Sequence, residues 1–323
     1  MVFEYIAQLN PVLFHVLVIL ASLAILVKAA DISVSGISDY ARKLGLSEYI
    51  VGFVVVAFAS SIPELITSLT GAMINDGGII FGTILGSNIV ELTLVLGTLA
   101  IVGKKVKVES KVMHGTKFLS FALLMLPLVL LWDSKVTRID GLILVLTFFA
   151  YLYYLWKKEG EVGKLKEDIK FKKIWKNFLI FGGTLTAMLL SSRWLVFSSV
   201  SLSHEIGIPT YYIALIVIGI GASISDISVG VRSVLKGHSD VGFGNVIGSN
   251  IIKAVLFLGI IALIRPFTFD LAILTNVIIF TVLATAATLY FVRTKSLNWK
   301  EGIAMLIIYV LFITIEWFFG TAV

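Results

Sequence analysis

Ten apolar runs, each about as long as a lipid bilayer is thick, leave this chain few ways to fold. They fall near residues 11–30, 48–74, 79–102, 114–133, 139–156, 175–200, 210–235, 241–264, 268–292 and 302–320. A helix needs about 20 apolar residues to cross ~30 Å of hydrocarbon. Inside that solvent every backbone N–H and C=O must find a partner within the protein, and a helix supplies those partners itself. Charged residues make up 14% of the 323 positions and hydrophobic ones 58%, too little polar surface for a soluble domain of this length. The expected fold is therefore an all-α polytopic membrane protein with ten transmembrane helices. The first ten residues carry Glu4 and no basic cluster, so they do not read as a cleaved signal peptide. The chain has no cysteine, which excludes disulfides and thiolate metal sites.

The runs divide into two sets of five, and the sets are written in the same words. Residues 81–97 read FGTILGSNIVELTLVLG, and residues 243–259 read FGNVIGSNIIKAVLFLG, 162 positions later. At the same offset Gly45-Leu46 and Tyr49 match Gly207-Ile208 and Tyr211, Ser61-Ile62 matches Ser223-Ile224, and Glu64 matches Asp226. Ungapped agreement over this length is more than apolar composition produces. Five is odd, so the second set must enter the membrane in the opposite sense. The expected organisation is a first five-helix repeat over 1–156, a charged linker over 157–173 and a second, inverted repeat over 174–323. Inverted-topology repeats are a transporter architecture, with the substrate site near the bilayer midplane between the repeats. Equivalent residues that face such an axis face each other, so Glu91 and Lys253, one per copy, are expected to be neighbours.

The net charge of +6 would suggest nucleic acid if it were spread over a surface, but it is not. With the N-terminus placed outside, the inner segments hold Lys28, Arg42, Lys43, the 104–117 group, eight lysines from Lys157 to Lys176, Arg232, Lys236, Arg293, Lys295 and Lys300. The outer ones hold Lys135, Arg138 and Arg265. This asymmetry sets an orientation with both termini outside and the 157–173 linker cytoplasmic. It implies no nucleic-acid partner. The linker also carries Glu159, Glu161, Glu167 and Asp168, and reads as solvated chain rather than as a polybasic lipid patch.

Within the apolar runs, AFASSIPELITS (57–68) and IGIGASISDISVG (218–230) each set hydroxyls ahead of a carboxylate. A carboxylate at membrane depth is costly, so Glu64, Glu91 and Asp226 are candidate site residues. The bland reading of any one of them is a carboxyl satisfied by a neighbouring helix; three at related positions argue against it. Pro63 lacks an N–H and frees a carbonyl near Ala59, where an ordinary membrane-helix kink is the competing reading. Ser60, Ser61 and Ser223 suit either close helix packing or ligation, and the glycines at 82, 86, 244 and 248 suit packing. The set is all oxygen, which fits a hard cation such as Ca2+. His15 stands alone in the first run and reads as a residue that packs or snorkels.

SSIPE in the second run and GxxxGSN in the third, repeated inversely, resemble the cation/calcium antiporters, in particular the sodium/calcium exchanger branch. The resemblance covers both repeats. It implies ion sites formed by the second, third, seventh and eighth helices, with the first and sixth sliding across them to alternate access. By motif position it implies Glu64 as the central calcium ligand, Ser60 and Ser61 as its hydroxyl partners, Ser87 and Ser249 as ligands on the third and eighth helices, and Asp226 as the second carboxylate. The sequence departs from that pattern. Ser225 stands where the family has a second proline, Asp226 is one methylene shorter than the family's glutamate, Ala222 replaces a hydroxyl and Thr83 replaces an asparagine. Glu91 and Lys253 stand where the family carries Asn or Asp ligands, and an ammonium cannot coordinate a cation.

The combined expectation is a secondary active antiporter of the cell membrane, exchanging Ca2+ or a similar divalent cation against Na+ or H+ by alternating access. Its cation-binding residues are Glu64, Asp226, Ser60, Ser61, Ser87, Ser223, Ser249 and Glu91, with Lys253 compensating charge. No covalent chemistry or organic cofactor is implied; the partners are inorganic cations and membrane lipids, and the expected state is a monomer. The alternative is a channel-like or transport-deficient regulatory homologue whose site Lys253 has altered. An intramembrane aspartyl hydrolase would need two matched aspartates, and the sequence has none in such a motif. The orientation is open to a direct test, because the cysteine-free chain gives no background to thiol labelling. Single cysteines at 74–79 and 201–210 are expected to react with an impermeant reagent from outside, and those at 157–173 only from inside. The reverse pattern would overturn the charge-based topology.

Overall fold

The computed structural model describes residues 10–43, 50–107, 111–159, 171–208, 210–292 and 296–319. Gly45, Leu46 and Tyr49 of the repeat, residues 160–170 of the linker, Arg293 and Lys295 lie outside them. The helices are α1 (Pro11–Lys43), the pair α2 and α3 (Gly52–Ser60, Ile62–Met73), α4 (Gly77–Gly103), α5 (Lys111–Leu130) and α6 (Arg138–Glu159). They continue as α7 (Phe171–Ile206), α8 (residues 210–235), α9 (Ser239–Ile264), α10 (Leu271–Val292) and α11 (Trp299–Phe319). A helix or helix pair lies over each expected run. Among the described residues seven helices are long and apolar enough to cross a membrane, or eight with the bent pair α2–α3 taken as one span. The protein is a mostly helical, multi-pass membrane protein.

The break between α2 and α3 follows from local chemistry. Pro63 is the second residue of α3, where its missing N–H leaves the Ala59 carbonyl without the usual donor. Ser61 takes φ −88° and ψ −1°, and the helix turns by 48° there. In the second copy Ser225 occupies the equivalent place, and the helix runs unbroken from Gly219 to Leu235. The bend is thus written in one repeat only.

Residues of α4 and α9 are buried almost all round, and these two helices form the middle of the molecule. Each contains a π-helical turn at the same place in the repeat, Glu91–Val95 and Ile252–Phe257. Such turns insert one residue, rotate the side chains that follow and recur at functional sites. Glycine lets the neighbours approach. A Cβ on Gly86 would lie 3.2 Å from the Leu215 backbone, and one on Gly248 would lie 2.3 Å from the Phe53 carbonyl oxygen. The two contacts exchange when each residue is moved by the repeat offset. α1 packs along α7, outside this centre. The outer helices α5, α6, α10 and α11 expose large apolar side chains such as Phe118, Phe149, Leu283 and Val310, as surfaces facing lipid do.

The all-helical expectation misses four short strands, β1 (Lys105–Lys107), β2 (Lys135–Val136), β3 (Phe267–Thr268) and β4 (Ser296–Asn298). They form where the chain reverses between helices and leaves backbone groups to be paired. β1 pairs antiparallel with β4, and β2 with β3, so each ribbon ties one half of the chain to the other. Lys105 pairs with Asn298; moved forward and back by the offset, those positions become Phe267 and Val136, which pair in the other ribbon. Both ribbons therefore keep the register of one repeat relation.

The Gly248 contact predicts a stability contrast. Gly248→Ala forces a methyl against backbone and is expected to destabilise the protein by ~1–3 kcal/mol, as overpacking does. Gly183→Ala, where a Cβ meets nothing within 4 Å, is expected to lose nothing. Thermal unfolding in detergent measures both, and equal behaviour would show that the α2–α9 approach is looser than described.

Candidate cation site

Glu64 on α3, Glu91 on α4 and Asp226 on α8 are fully buried, and one oxygen from each lies within 4.8 Å of the others. Lys253 of α9, also fully buried, enters this group as its fourth charge. Its ammonium donates to Glu91 Oε1 and, at 2.9 Å, to Ser87 Oγ, and lies 3.8 Å from Glu64 Oε1. The opposed charges of the two copies thus meet as an ion pair. Three carboxylates and one ammonium leave a formal charge of −2.

Glu91 is saturated. Its second oxygen accepts from Ser249 Oγ and, at 2.8 Å, from Asn250 Nδ2. Asp226 is half held: Oδ1 accepts from Asn245 Nδ2 at 2.9 Å, and Oδ2 has no hydrogen-bond partner. Neither oxygen of Glu64 is hydrogen-bonded, and Ser61 Oγ beside the bend is likewise unpartnered. Buried polar atoms in folded proteins are nearly always bonded, so this run of orphan oxygens marks a place for a ligand. Three carboxylate oxygens and a hydroxyl without hydrogen-bond partners form a hard, oxygen-only set suited to a divalent cation.

The remaining sequence candidates divide. Ser87 meets Lys253 and donates to the Ile84 carbonyl at 3.1 Å; Ser249 meets Glu91. Ser60 Oγ donates to the Ala57 carbonyl at 3.3 Å and to Asn245 Oδ1 at 3.4 Å. Ser223 donates back to the Gly219 carbonyl at 2.8 Å within its own helix. Asn245 and Asn250, which fix Asp226 and Glu91, are not among the expected cation-binding residues, although the second Gly-Ser-Asn triplet suits both packing and ligation. Their signal was in the sequence, in the Gly-Asn pair at 244–245 and the repeated Gly-Ser-Asn triplet. Glu316 of α11 is a further buried carboxylate outside the group. His15 packs edge-on to Phe14 and Phe197. A groove of about 590 Å³ between α1 and α7 is lined by apolar residues such as Leu17, Ile25 and Trp194, with none of the clustered charges.

The profile of the family described as sodium/calcium exchanger protein matches residues 14–157 and again 176–318. The chain belongs to the sodium/calcium exchanger protein family. Among its relatives are the sodium/calcium exchanger MaX1 of Methanosarcina acetivorans, 27% identical and covering 93% of this chain and 97% of that one. The inner membrane protein YrbG of Escherichia coli is 29% identical over 78% of this chain and 80% of its own. A solved structure of the sodium-calcium exchanger NCX_Mj superposes with a TM-score of 0.72, covering 94% of this chain and 98% of that one at 22% identity, which shows the shared fold. Membership of the exchanger family makes the protein a transporter rather than an enzyme.

In this exchanger-family protein the buried pair should behave as one unit. Lys253→Met strands Glu91, and Glu91→Gln strands Lys253; each is expected to cost ~3–5 kcal/mol, the usual penalty for breaking a buried ion pair. The double substitution leaves neither charge stranded and is expected to cost much less than the sum. Thermal or denaturant unfolding of the four proteins gives the coupling. Additivity within ~0.5 kcal/mol would mean that the side chains do not interact.

Proposed function

We propose that the protein is a secondary active antiporter that exchanges Ca2+, or a similar divalent cation, against Na+ or H+ by alternating access. The observation that carries the reading is the pair of carboxylates at equivalent positions, Glu64 and Asp226, which are buried in one cluster and keep oxygens with no hydrogen-bond partner. Glu64 and Asp226 are the divalent ligands, assisted by Ser61, with Ser60 and Ser223 as the accompanying hydroxyls. Ser87 and Glu91 hold Lys253, which compensates charge, and Ser249 in turn holds Glu91. The names of MaX1 and NCX_Mj, both sodium/calcium exchangers, support the choice of ions.

The proposal includes ten spanning helices in two inverted repeats, 1–156 and 174–323, joined by a cytoplasmic linker at 157–173, with both termini outside the cell membrane. Two matches of one family profile, one in each half, and the shared register of the two ribbons support this organisation. Alternating access then consists of α1 and α7, which pack on each other, moving across the central helices. The protein acts as a monomer among lipids, and no organic cofactor takes part. A channel-like or transport-deficient homologue is the second reading, favoured by Lys253 in the site and the unbroken α8. Counterflow separates the two, since an exchanger moves labelled ion only against exchangeable ion on the opposite side.

Glu64→Gln should abolish 45Ca2+ uptake driven by a Na+ or H+ gradient in proteoliposomes, while leaving folding and insertion intact. Gln keeps the size of the side chain and removes the charge that holds the divalent ion. Uptake near that of the unsubstituted protein would remove Glu64 from the site.

A further inference from the structure

We infer that the exchange is electroneutral, with one divalent cation moving against two monovalent ones, because Lys253 is a positive charge that stays in the site throughout the cycle. The inference rests on the antiport reading above and adds its charge stoichiometry. Lys253 is tethered, fully buried, and held by Ser87 and Glu91 from the opposite repeat. Glu91 in turn has both oxygens engaged, by Lys253 on one side and by Ser249 and Asn250 on the other. The cation that Glu91 holds is therefore Lys253, and Glu91 is withdrawn from the cargo.

What remains for the cargo is Glu64 and Asp226, which retain the orphan oxygens. Their two charges balance one divalent ion, or two sodium ions, or two protons. Three monovalent ions would leave the buried group with one positive charge in excess, and a single one would leave a negative charge unmatched. Both are disfavoured where the surroundings do not solvate charge. The Lys253 ammonium also lies 3.8 Å from Glu64 Oε1, so a third mobile cation would have to approach a fixed one. A site that is neutral in both loaded forms carries no net charge across the membrane, and voltage then does no work on the cycle.

The test uses the purified protein in proteoliposomes, with the potential clamped by K+ and valinomycin and 45Ca2+ as the probe. Na+ and H+ gradients are applied in separate arms, which identifies the monovalent partner. A tenfold outward gradient of that partner should drive a limiting Ca2+ ratio of about a hundredfold, the same at zero and at inside-negative potential. One net charge per cycle would instead shift the ratio tenfold for every ~59 mV and overturn the inference while leaving antiport in place. If neither gradient drives uptake, the antiport reading fails and the inference falls with it. Lys253→Met adds a negative charge to the unliganded site, and its uptake should become voltage-sensitive. Combining Lys253→Met with Glu91→Gln restores the balance and should remove that sensitivity. Voltage-insensitive uptake by the Lys253→Met protein would exclude Lys253 as the cause. The wild-type measurement decides the stoichiometry even if a variant fails to fold.

Discussion

An ammonium placed in the middle of an apolar helix bundle must meet an anion and enough hydrogen-bond acceptors, or the fold that buries it is lost. Lys253 imposes that requirement here. Glu91 answers it with one oxygen, Ser87 answers it from the same helix, and Glu64 lies close enough to feel the charge. The second oxygen of Glu91 is then satisfied from α9 itself, by Ser249 and Asn250. The pair therefore fixes α4 against α9 chemically as well as sterically, and the carboxylate oxygens left unbonded in the cluster belong to Glu64 and Asp226. Division of labour among three carboxylates follows from where one lysine sits.

The fold makes that meeting possible by repeating a single set of contacts. Gly86 on Leu215 brings α4 against α8, which carries Asp226, and Gly248 on Phe53 brings α9 against α2, just ahead of the bend that leads to Glu64. A π turn in each central helix then presents Glu91 and Lys253, residues exactly one repeat apart in the chain, to each other. The two ribbons clamp the halves in matching register where the chain turns between helices. No single contact in this scheme is specific to a cation. The relation between the halves turns ordinary packing into a site, because it brings polar residues from two distant segments to one place.

Much of this was legible in the sequence. The repeat offset alone paired Glu91 with Lys253, since residues near an axis of exchange meet their counterparts. Pro63 announced the break after Ser60, and Ser225 announced its absence from α8. Apolar run length located the helices, though it did not show that the run at 48–74 is two of them. Other features depend on geometry that residue types do not encode. Whether a serine ligates or turns back on its own helix is decided by one rotamer, and Ser223 bonds Gly219 while Ser87 meets Lys253. That Asn245 and Asn250 anchor carboxylates, rather than only pack or ligate, is visible only in where their amides lie. The strands are two or three residues long, too short for any alternation to signal them. Glu316 lies in a run whose hydrophobicity hides a single carboxylate.

The two halves are alike in layout, and a difference that bears on the proposed site lies at one equivalent pair of helices. In the first copy the proline bend leaves Glu64 just past a helix break, with neither carboxylate oxygen hydrogen-bonded. In the second copy an unbroken helix carries a shorter carboxylate, and Asn245 anchors one of its oxygens. A ligand on a bend with no competing bonds can follow an ion; a ligand on a straight helix with one oxygen tied down offers a fixed point. In the proposed exchange this makes Glu64 the mobile carboxylate and Asp226 the stationary one. Two matched, rigid carboxylates would hold a divalent ion well and release it poorly. The proposed alternation needs one side of the cage to yield, and Pro63 lies on the side of Glu64.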